Sequence, residues 1–175
     1  NMKNLKYIII SNIIIFAVNF PAHFFFDFVP LKLIGWFFPV NESIFQHMKM
    51  IFTSFFIVYI IFYLLRRRFN FKNVFFSNLI ASLSCICIFL IIYLPVYLNM
   101  GENMIFTLIL LFICIFLGQL ISSYFIFNEN KKDYTIFSII LIIMIFLLNI
   151  LFTYKPLSNF FFYDPQHKTY DIVYK

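Results

Sequence analysis

Residues 40–68 read VNESIFQHMKMIFTSFFIVYIIFYLLRRR, and this stretch decides the fold class. Residues 44–65 are predominantly apolar, over the roughly 20 residues that an α-helix needs to cross the hydrocarbon core of a bilayer. The three arginines that follow are typical of the cytoplasmic end of such a helix. The stretch therefore predicts a membrane-spanning helix with a polar start and a basic end.

The composition of the whole chain extends this interpretation. Of the 175 residues, 63% are hydrophobic and 11% are charged, and the mean hydropathy is +0.95, whereas soluble domains carry about 25% charged residues. The net charge of +6 lies around apolar runs, so no soluble basic face is available to a nucleic acid. We predict a multi-pass protein whose partner is the lipid bilayer, and no nucleic-acid partner.

Four further apolar segments are long enough to cross a bilayer, at approximately residues 7–26, 74–94, 103–127 and 135–154. Residues 29–40, VPLKLIGWFFPV, are apolar but short and broken by prolines and a glycine, which favours an interfacial or re-entrant piece. The predicted fold is an all-α integral membrane protein, a single membrane domain over residues 1–175. It is a bundle of about five transmembrane helices with that short re-entrant or interfacial element before the second helix, followed by a C-terminal tail at residues 155–175.

The basic residues predict the orientation. They concentrate at the N-terminus and in the second and fourth loops: Lys3, Lys6, Arg66, Arg67, Arg68, Lys72, Lys131 and Lys132. Because basic loops tend to stay in the cytoplasm, we predict a cell-membrane protein with a cytoplasmic N-terminus and an extracytoplasmic C-terminus. All three histidines and most carboxylates then fall on the outer side: His23, His47, His167, Asp27, Glu42, Glu102, Asp164 and Asp171.

The polar start of the second helix contains more than a helix cap. Asn41 suits the N-cap position, and Glu42 in the first turn complements the helix dipole. Capping does not account for His47 or Lys49, which lie deeper, or for Ser43, which shares a helical face with His47. Ionisable residues inside a spanning helix usually mark a functional site.

A second pair ends the first helix in the segment HFFFDF, residues 23–28. His23 and Asp27 are four residues apart and share a helical face, so the carboxylate could orient or charge the imidazole. The alternative is an interfacial pair that only reaches toward water.

Together these residues predict a site. His23, His47 and Glu42 are candidate ligands of a divalent metal such as zinc, which takes imidazole and carboxylate ligands and leaves a position for water. The same groups suit metal-free acid–base catalysis, and no HExxH or HxxxH zinc signature is present. In the candidate catalytic site, His47 and Glu42 act as metal ligands or as acid–base groups. His23, oriented by Asp27, is the third participant. Lys49 or Ser43 stabilises charge.

The tail adds further candidates. Residues 160–175, FFFYDPQHKTYDIVYK, are too short to span a bilayer. Asp164, His167 and Tyr170 would join the site if the tail folds back over the outer mouth as a lid. The alternative is a disordered terminus.

Several motifs point to a family. The segment GWFFPVNESIFQHMKM, residues 35–50, resembles the signature of an uncharacterised family of small multi-pass membrane proteins from Firmicutes, in which N-E-S-x-x-x-H-x-K opens the second helix. HFFFDF, LGQLISSYF at residues 117–125 and DPQHKTYDI at residues 164–172 also resemble landmarks of that family. The resemblance implies a bacterial family member and no activity. Ser43-x-x-x-His47 is similar to an element of the alkaline ceramidase and progestin-receptor-like membrane zinc hydrolases, which favours a hydrolase among enzyme classes.

Three functions follow from these features. The leading hypothesis is a membrane-embedded hydrolase, either metal-dependent or metal-free, acting on a lipid or lipid-linked substrate at the outer leaflet. The second is a protein that binds or transports a small solute or a proton, because intramembrane ionisable groups also mark pathways. A homo-oligomer or a partner subunit would then supply the rest of the pathway. The third is an accessory subunit whose polar cluster only holds helices together.

Overall fold

The computed structural model describes residues 2–69, 71–127 and 132–174, and it contains six helices in these ranges. All helices except the short α2 are long and apolar enough to cross a membrane, and no strand forms in the described part of the chain. This confirms the predicted all-α membrane fold. The helices are α1 (Met2–Phe28), α2 (Lys32–Gly35), α3 (Ile44–Phe69), α4 (Val74–Met100), α5 (Met104–Ile126) and α6 (Thr135–Tyr154).

Several helices extend beyond their predicted bounds. Helix α4 was predicted over residues 74–94, but it continues through Pro95 and ends only at Met100. Gly101 then turns the chain with a φ of +75°, a left-handed conformation that glycine adopts at little cost. The apolar run marks the part of a helix that lies in hydrocarbon. The backbone hydrogen bonds continue into the interface until such a turn ends them.

Helix α3 forms the centre of the bundle. Within its most apolar window 61% of the residues are buried, against 17–33% in the other four spans. Its side chains Phe52, Phe55, Val58 and Tyr59 are almost completely enclosed. Polar side chains in the first half of this helix lie in the interior of the protein, namely Gln46, Lys49, Thr53 and Ser54, whereas Arg67 and Arg68 at its end are exposed.

Small residues bring α4 and α5 into close contact. Each helix carries three of them at four-residue spacing on one buried face, namely Ser77, Ala81 and Cys85 on α4 and Cys114, Gly118 and Ser122 on α5. A Cβ atom at Gly118 would lie 2.5 Å from the carbonyl oxygen of Ala81. Membrane helices commonly approach through such small-residue stripes. Cys85 and Cys114 therefore serve as packing residues.

A buried hydrogen-bond network joins α1, α3 and α5 in the half of the bundle away from α2. The hydroxyl of Tyr59 lies 2.9 Å from that of Tyr7 and donates to Ser122 Oγ at 2.9 Å. Oε1 of Gln119 also lies within hydrogen-bond distance of the hydroxyl groups of Tyr59 and Ser11, at 3.2 and 3.0 Å. These contacts lower the cost of burying polar groups in hydrocarbon, although Nε2 of Gln119 has no hydrogen-bond partner in the described part of the chain.

Candidate functional site

Two histidines and a glutamate from different segments meet at one end of the bundle. Nε2 of His23 and Nε2 of His47 are 3.2 Å apart. Oε2 of Glu42 lies 3.4 Å from each of these nitrogen atoms. The structure therefore brings together the three residues that the sequence predicts as metal ligands, and among the described residues they form a group that could hold an ion.

The chain path explains this meeting. Helix α1 ends shortly after His23 and α3 begins shortly before His47, with only α2 and its flanking turns between them. The two spans run in opposite directions, so the end of one lies beside the start of the other. Glu42 lies in the turn just before α3 and reaches both imidazoles.

Main-chain bonding orients His47. Its Nδ1 is 2.9 Å from the carbonyl oxygen of Ser43, one turn earlier. A neutral imidazole that donates from Nδ1 presents the lone pair of Nε2, which is the form that binds a metal. Ser43 thus acts on the site through its carbonyl group, and its backbone N–H is bonded to Oδ1 of Asn41 at 3.1 Å.

The hydrogen bonding of His23 differs from the predicted pairing of its ring with Asp27. Its buried Nδ1 has no hydrogen-bond partner within the described part of the chain, so the carboxylate of Asp27 does not accept a bond from it. A shared helical face permits such a pair but does not enforce it, because the two side chains can point to different neighbours. One turn earlier, Asn19 also has an unpartnered buried Oδ1, while its Nδ2 donates to the carbonyl of Ile15 at 2.8 Å.

The distances fit a tetrahedral metal ion. With bonds of about 2.0–2.2 Å to nitrogen and oxygen ligands, neighbouring ligand atoms of a tetrahedral zinc site are about 3.3–3.5 Å apart. The three separations of 3.2, 3.4 and 3.4 Å are close to this edge length. An ion bound by these atoms would have three protein ligands and one position left for water, which is the arrangement of catalytic zinc.

Lys49 has partners elsewhere. Its side chain is 1% exposed, and Nζ donates to the carbonyl oxygen of Gly35 at 2.8 Å and to Oγ1 of Thr153 at 3.0 Å. These bonds tie α3 to α2 and α6. The residue is not part of the cavity wall beside the histidines, so the predicted role of Lys49 in charge stabilisation has no support in this arrangement.

The tail packs against the segment that carries Glu42. The carboxylate of Asp164 is fully buried and accepts the backbone N–H of Glu42 at 3.0 Å. Its Oδ2 also lies 2.9 Å from Nδ1 of His167, and its Oδ1 accepts the backbone N–H groups of Gln166 and His167. Burial opposes ionisation of Asp164, but the bonds from Glu42, His167 and Gln166 outweigh it and hold the pKa of this carboxyl below its usual value.

Further main-chain bonds dock the rest of the tail. Asn41 Nδ2 donates to the carbonyl oxygen of Asp171 at 3.0 Å, and the backbone N–H of Val173 donates to the carbonyl of Val40 at 2.9 Å. The ring of Tyr170 packs on Tyr163 with 5.2 Å between centroids. The tail is an ordered cover. His167 and Tyr170 belong to this cover rather than to the three-residue cluster.

A cavity of about 60 Å³ adjoins the cluster. Its polar and aromatic lining residues include Glu42, His47, Glu102, Tyr93 and Tyr97, together with Pro165 of the tail. The basic-residue pattern predicts Glu102 on the same side of the membrane as the three histidines, but no sequence motif predicts a role for it. The rest of the wall is mainly apolar: Ile44, Met48, Met50, Ile51, Phe89, Thr107 and Leu111.

The sequence profile of a family described as "Family of unknown function (DUF6512)" matches residues 1–172. The chain belongs to the DUF6512 family. No curated protein and no solved structure matches the chain. Membership in a family of unknown function agrees with the predicted uncharacterised family, while the proposed signature motif and bacterial origin stay predictions.

For this DUF6512 member the geometry separates the predicted site residues into groups. His23, Glu42 and His47 form one cluster, and Ser43 orients it. Lys49, His167 and Tyr170 contact other groups, and Asn41 and Asp164 act through the main chain. The role of Asp27 beside His23 stays a prediction. The cavity residues Tyr93 and Tyr97 were missed, although their four-residue spacing after Phe89 predicts a common face of α4.

Proposed function

We propose that this protein is a membrane-embedded, metal-dependent hydrolase that acts on a lipid or lipid-linked substrate at the outer leaflet. The observation that carries the proposal is the cluster of His23, Glu42 and His47, whose ligand atoms have the mutual spacing of a tetrahedral site. Zinc is the divalent ion that best suits two imidazoles and one carboxylate in this geometry.

The chemistry follows from the open fourth position. A zinc ion lowers the pKa of a bound water to about 7 and polarises a carbonyl or phosphoryl oxygen. Glu42 and His47 line the cavity beside the cluster, so a substrate in the cavity would reach the open side of the ion. Two carboxylates and mainly apolar side chains line the cavity, which suits the polar end of an amphiphile whose chain stays in the bilayer.

The alternative of a proton or solute pathway lacks, among the described residues, a continuous hydrogen-bonded chain between the cluster and the network around Tyr7 and Gln119. Buried polar side chains do lie between them, namely Asn12, Asn19 and Ser54. However, Oδ1 of both asparagines and Oγ of Ser54 have no hydrogen-bond partner in the described residues, and Ile15, Phe55 and Ile115 in the same parts of α1, α3 and α5 are completely buried in one hydrophobic cluster.

Metal analysis of the purified protein tests the proposal. We expect one equivalent of zinc in the wild-type protein, and less than about a tenth of this in His47→Ala and Glu42→Gln because each loses one of three ligands. His167→Ala is the matched control and should keep its zinc, since His167 bonds to Asp164 instead.

Two results would contradict the proposal. If the wild-type protein takes up no zinc after dialysis against the ion, the metal site is wrong. The remaining hypotheses are then a metal-free acid–base site and an accessory subunit. Equal zinc contents in wild-type and His47→Ala proteins would show that the ion binds elsewhere. Size-exclusion chromatography of each variant checks that the fold is retained.

A further inference from the structure

One turn apart on α1, Nδ1 of His23 and Oδ1 of Asn19 are both buried, and neither has a hydrogen-bond partner within the described part of the chain. Asn19 is 4% exposed, and its Nδ2 already donates to the carbonyl of Ile15 at 2.8 Å. Oδ1 is therefore the part of this amide that still lacks a bond. Because buried polar groups in native proteins are almost always hydrogen-bonded, both atoms require an explanation.

Helix geometry places the two side chains beside each other. Residues four apart lie on the same helical face, with Cβ atoms about 5–6 Å apart, and α1 continues through Pro21 between them. Side chains on a helix lean toward its N-terminus, so the ring of His23 lies over the turn that carries Asn19. Rotation about side-chain torsions is enough to bring Nδ1 and Oδ1 into hydrogen-bond distance.

The hydrogen bonds of the cluster decide which ring nitrogen of His23 carries a hydrogen. Nδ1 of His47 donates to the carbonyl of Ser43, so Nε2 of a neutral His47 presents only a lone pair. The 3.2 Å contact between the two Nε2 atoms then needs the hydrogen on Nε2 of His23. In this tautomer Nδ1 of His23 is an acceptor, and it cannot bond to Oδ1 of Asn19, which is an acceptor as well.

An ion bound by the cluster requires the other tautomer of His23. Nε2 gives its lone pair to the ion, so the hydrogen of the neutral ring is on Nδ1. The change moves one hydrogen from Nε2 to Nδ1 and leaves the charge of the ring unchanged. Metal-binding histidines almost always donate this second N–H to an oxygen atom, and the buried Oδ1 of Asn19 is an oxygen that can accept it.

We propose that Asn19 is a positioning residue of the metal site, whose Oδ1 accepts the Nδ1–H of His23 and holds this imidazole in the metal-binding tautomer. The inference rests on the proposed function. Ser43 does the same for His47 through its carbonyl oxygen. Each histidine ligand thereby has its own acceptor, one from the main chain and one from a side chain.

The zinc affinity of purified variants, measured by competition with a chelating indicator, tests this role. Asn19→Leu keeps the size of the side chain but removes the acceptor, and it should bind zinc about 10- to 100-fold more weakly than wild type. Asn12→Leu is the matched control and should bind zinc like wild type. Asn12 is also buried on α1 with an unpartnered Oδ1 among the described residues, but it lies about three turns before His23.

Asn19→Asp separates the acceptor from the other bond of the amide. Aspartate keeps an acceptor oxygen but, when ionised, cannot donate to the carbonyl of Ile15. Its zinc affinity should stay close to that of wild type, because carboxylates also accept the N–H of metal-binding histidines. If Asn19 acted only through its bond to Ile15, the Asp variant would lose as much affinity as the Leu variant.

Nuclear magnetic resonance of zinc-loaded protein with ¹⁵N-labelled histidine observes the hydrogen itself. Wild type should show slowly exchanging Nδ1–H signals from His23 and His47. Asn19→Leu should lose the signal of His23 and keep that of His47, which is bonded to Ser43. Asp27→Asn tests the carboxylate that the sequence predicts as the partner of His23, and it should keep both signals.

The outcomes distinguish the two proposals. Equal zinc affinity in wild-type and Asn19→Leu proteins, or a His23 Nδ1–H signal that survives in Asn19→Leu, overturns the role of Asn19 and leaves the metal site standing. Loss of this signal in Asp27→Asn alone assigns the acceptor to Asp27. A wild-type protein that binds no zinc overturns the proposed function and the role of Asn19 with it. Size-exclusion chromatography checks the fold, and Asn19→Ala replaces Asn19→Leu if the latter is not monodisperse.

Discussion

Single residues show which predictions from the sequence agree with the structure. His47 was predicted as a site residue because a histidine inside an apolar run has no structural explanation from capping, and it does lie in the cluster. Lys49, chosen on the same reasoning, bonds to α2 and α6 instead. Hydropathy identifies a buried polar group, but the rotation of the helix decides which neighbours it meets, and this rotation depends on the packing of the other helices.

Asp164 makes the docking of the tail dependent on pH. Because its folded-state pKa lies below the ordinary value of about 3.9, the ionised form stabilises the docked tail fully above that value. The stabilisation is lost as the pH falls through the lower pKa of the folded state. We therefore expect a docked tail throughout pH 5–8 and release of the tail only below about pH 4.

Hydrogen–deuterium exchange of residues 161–173, corrected for the intrinsic pH dependence of exchange, measures this release in detergent micelles. Asp164→Asn should show the fast exchange of the released tail already at pH 7, since it lacks the charge that holds the N–H groups. A release centred near pH 6 would contradict the role of Asp164.

At the scale of elements, the sequence predicts the spans well and their ends less well. Apolar runs set the five long helices, but the end of α4 at Met100 depends on the turn at Gly101 rather than on hydropathy. Residues 29–40 were predicted as a short interfacial or re-entrant piece because of Pro30, Gly35, Pro39 and the length of the segment; α2 lies within it, and its depth in the membrane stays a prediction. The α4–α5 contact was not predicted, although its small residues are visible at four-residue spacing.

That contact gives a test of packing. Gly118→Ala should lower the thermal stability of the protein, because its Cβ would lie 2.5 Å from the carbonyl oxygen of Ala81 and the helices must separate. Overpacking of this kind costs about 1–3 kcal/mol. Leu120→Ala, on the exposed face of the same helix, should change the melting temperature much less. Equal melting temperatures for wild-type and Gly118→Ala proteins would contradict the close contact.

At the scale of the whole molecule, the sequence predicts which residues belong to the site but not how their side chains are arranged. The sequence shows that His23, Glu42 and His47 share one end of the bundle once the spans are counted. It does not show that the ligand atoms meet within 3.4 Å, or that Asp164, 122 positions after Glu42, holds the backbone beside them. These relations depend on the relative register of α1, α3 and the tail, which no local pattern encodes.

The orientation in the membrane stays a prediction, and cysteine labelling measures it. In a background with Cys85, Cys87 and Cys114 replaced by alanine, Asn99→Cys should react with a membrane-impermeant maleimide on intact cells. Asp133→Cys should react only after the cells are permeabilised, because it lies at the opposite end of the bundle near the basic loops. Labelling of both positions from the same side would contradict the five-span topology. The reverse labelling pattern would show that the protein has the opposite orientation in the membrane.

The bond between Asp164 and the backbone of Glu42 has a consequence for the order of events during synthesis. Glu42 belongs to the first third of the chain, but the group that fixes its backbone follows the last helix. The nascent protein can place α1 and α3 in the bilayer early, yet Glu42 acquires this support only after α6 has inserted and the tail has arrived on the same side. Under the proposed metal site, a partly inserted chain would compete poorly for the ion, and metal uptake would follow the end of membrane integration.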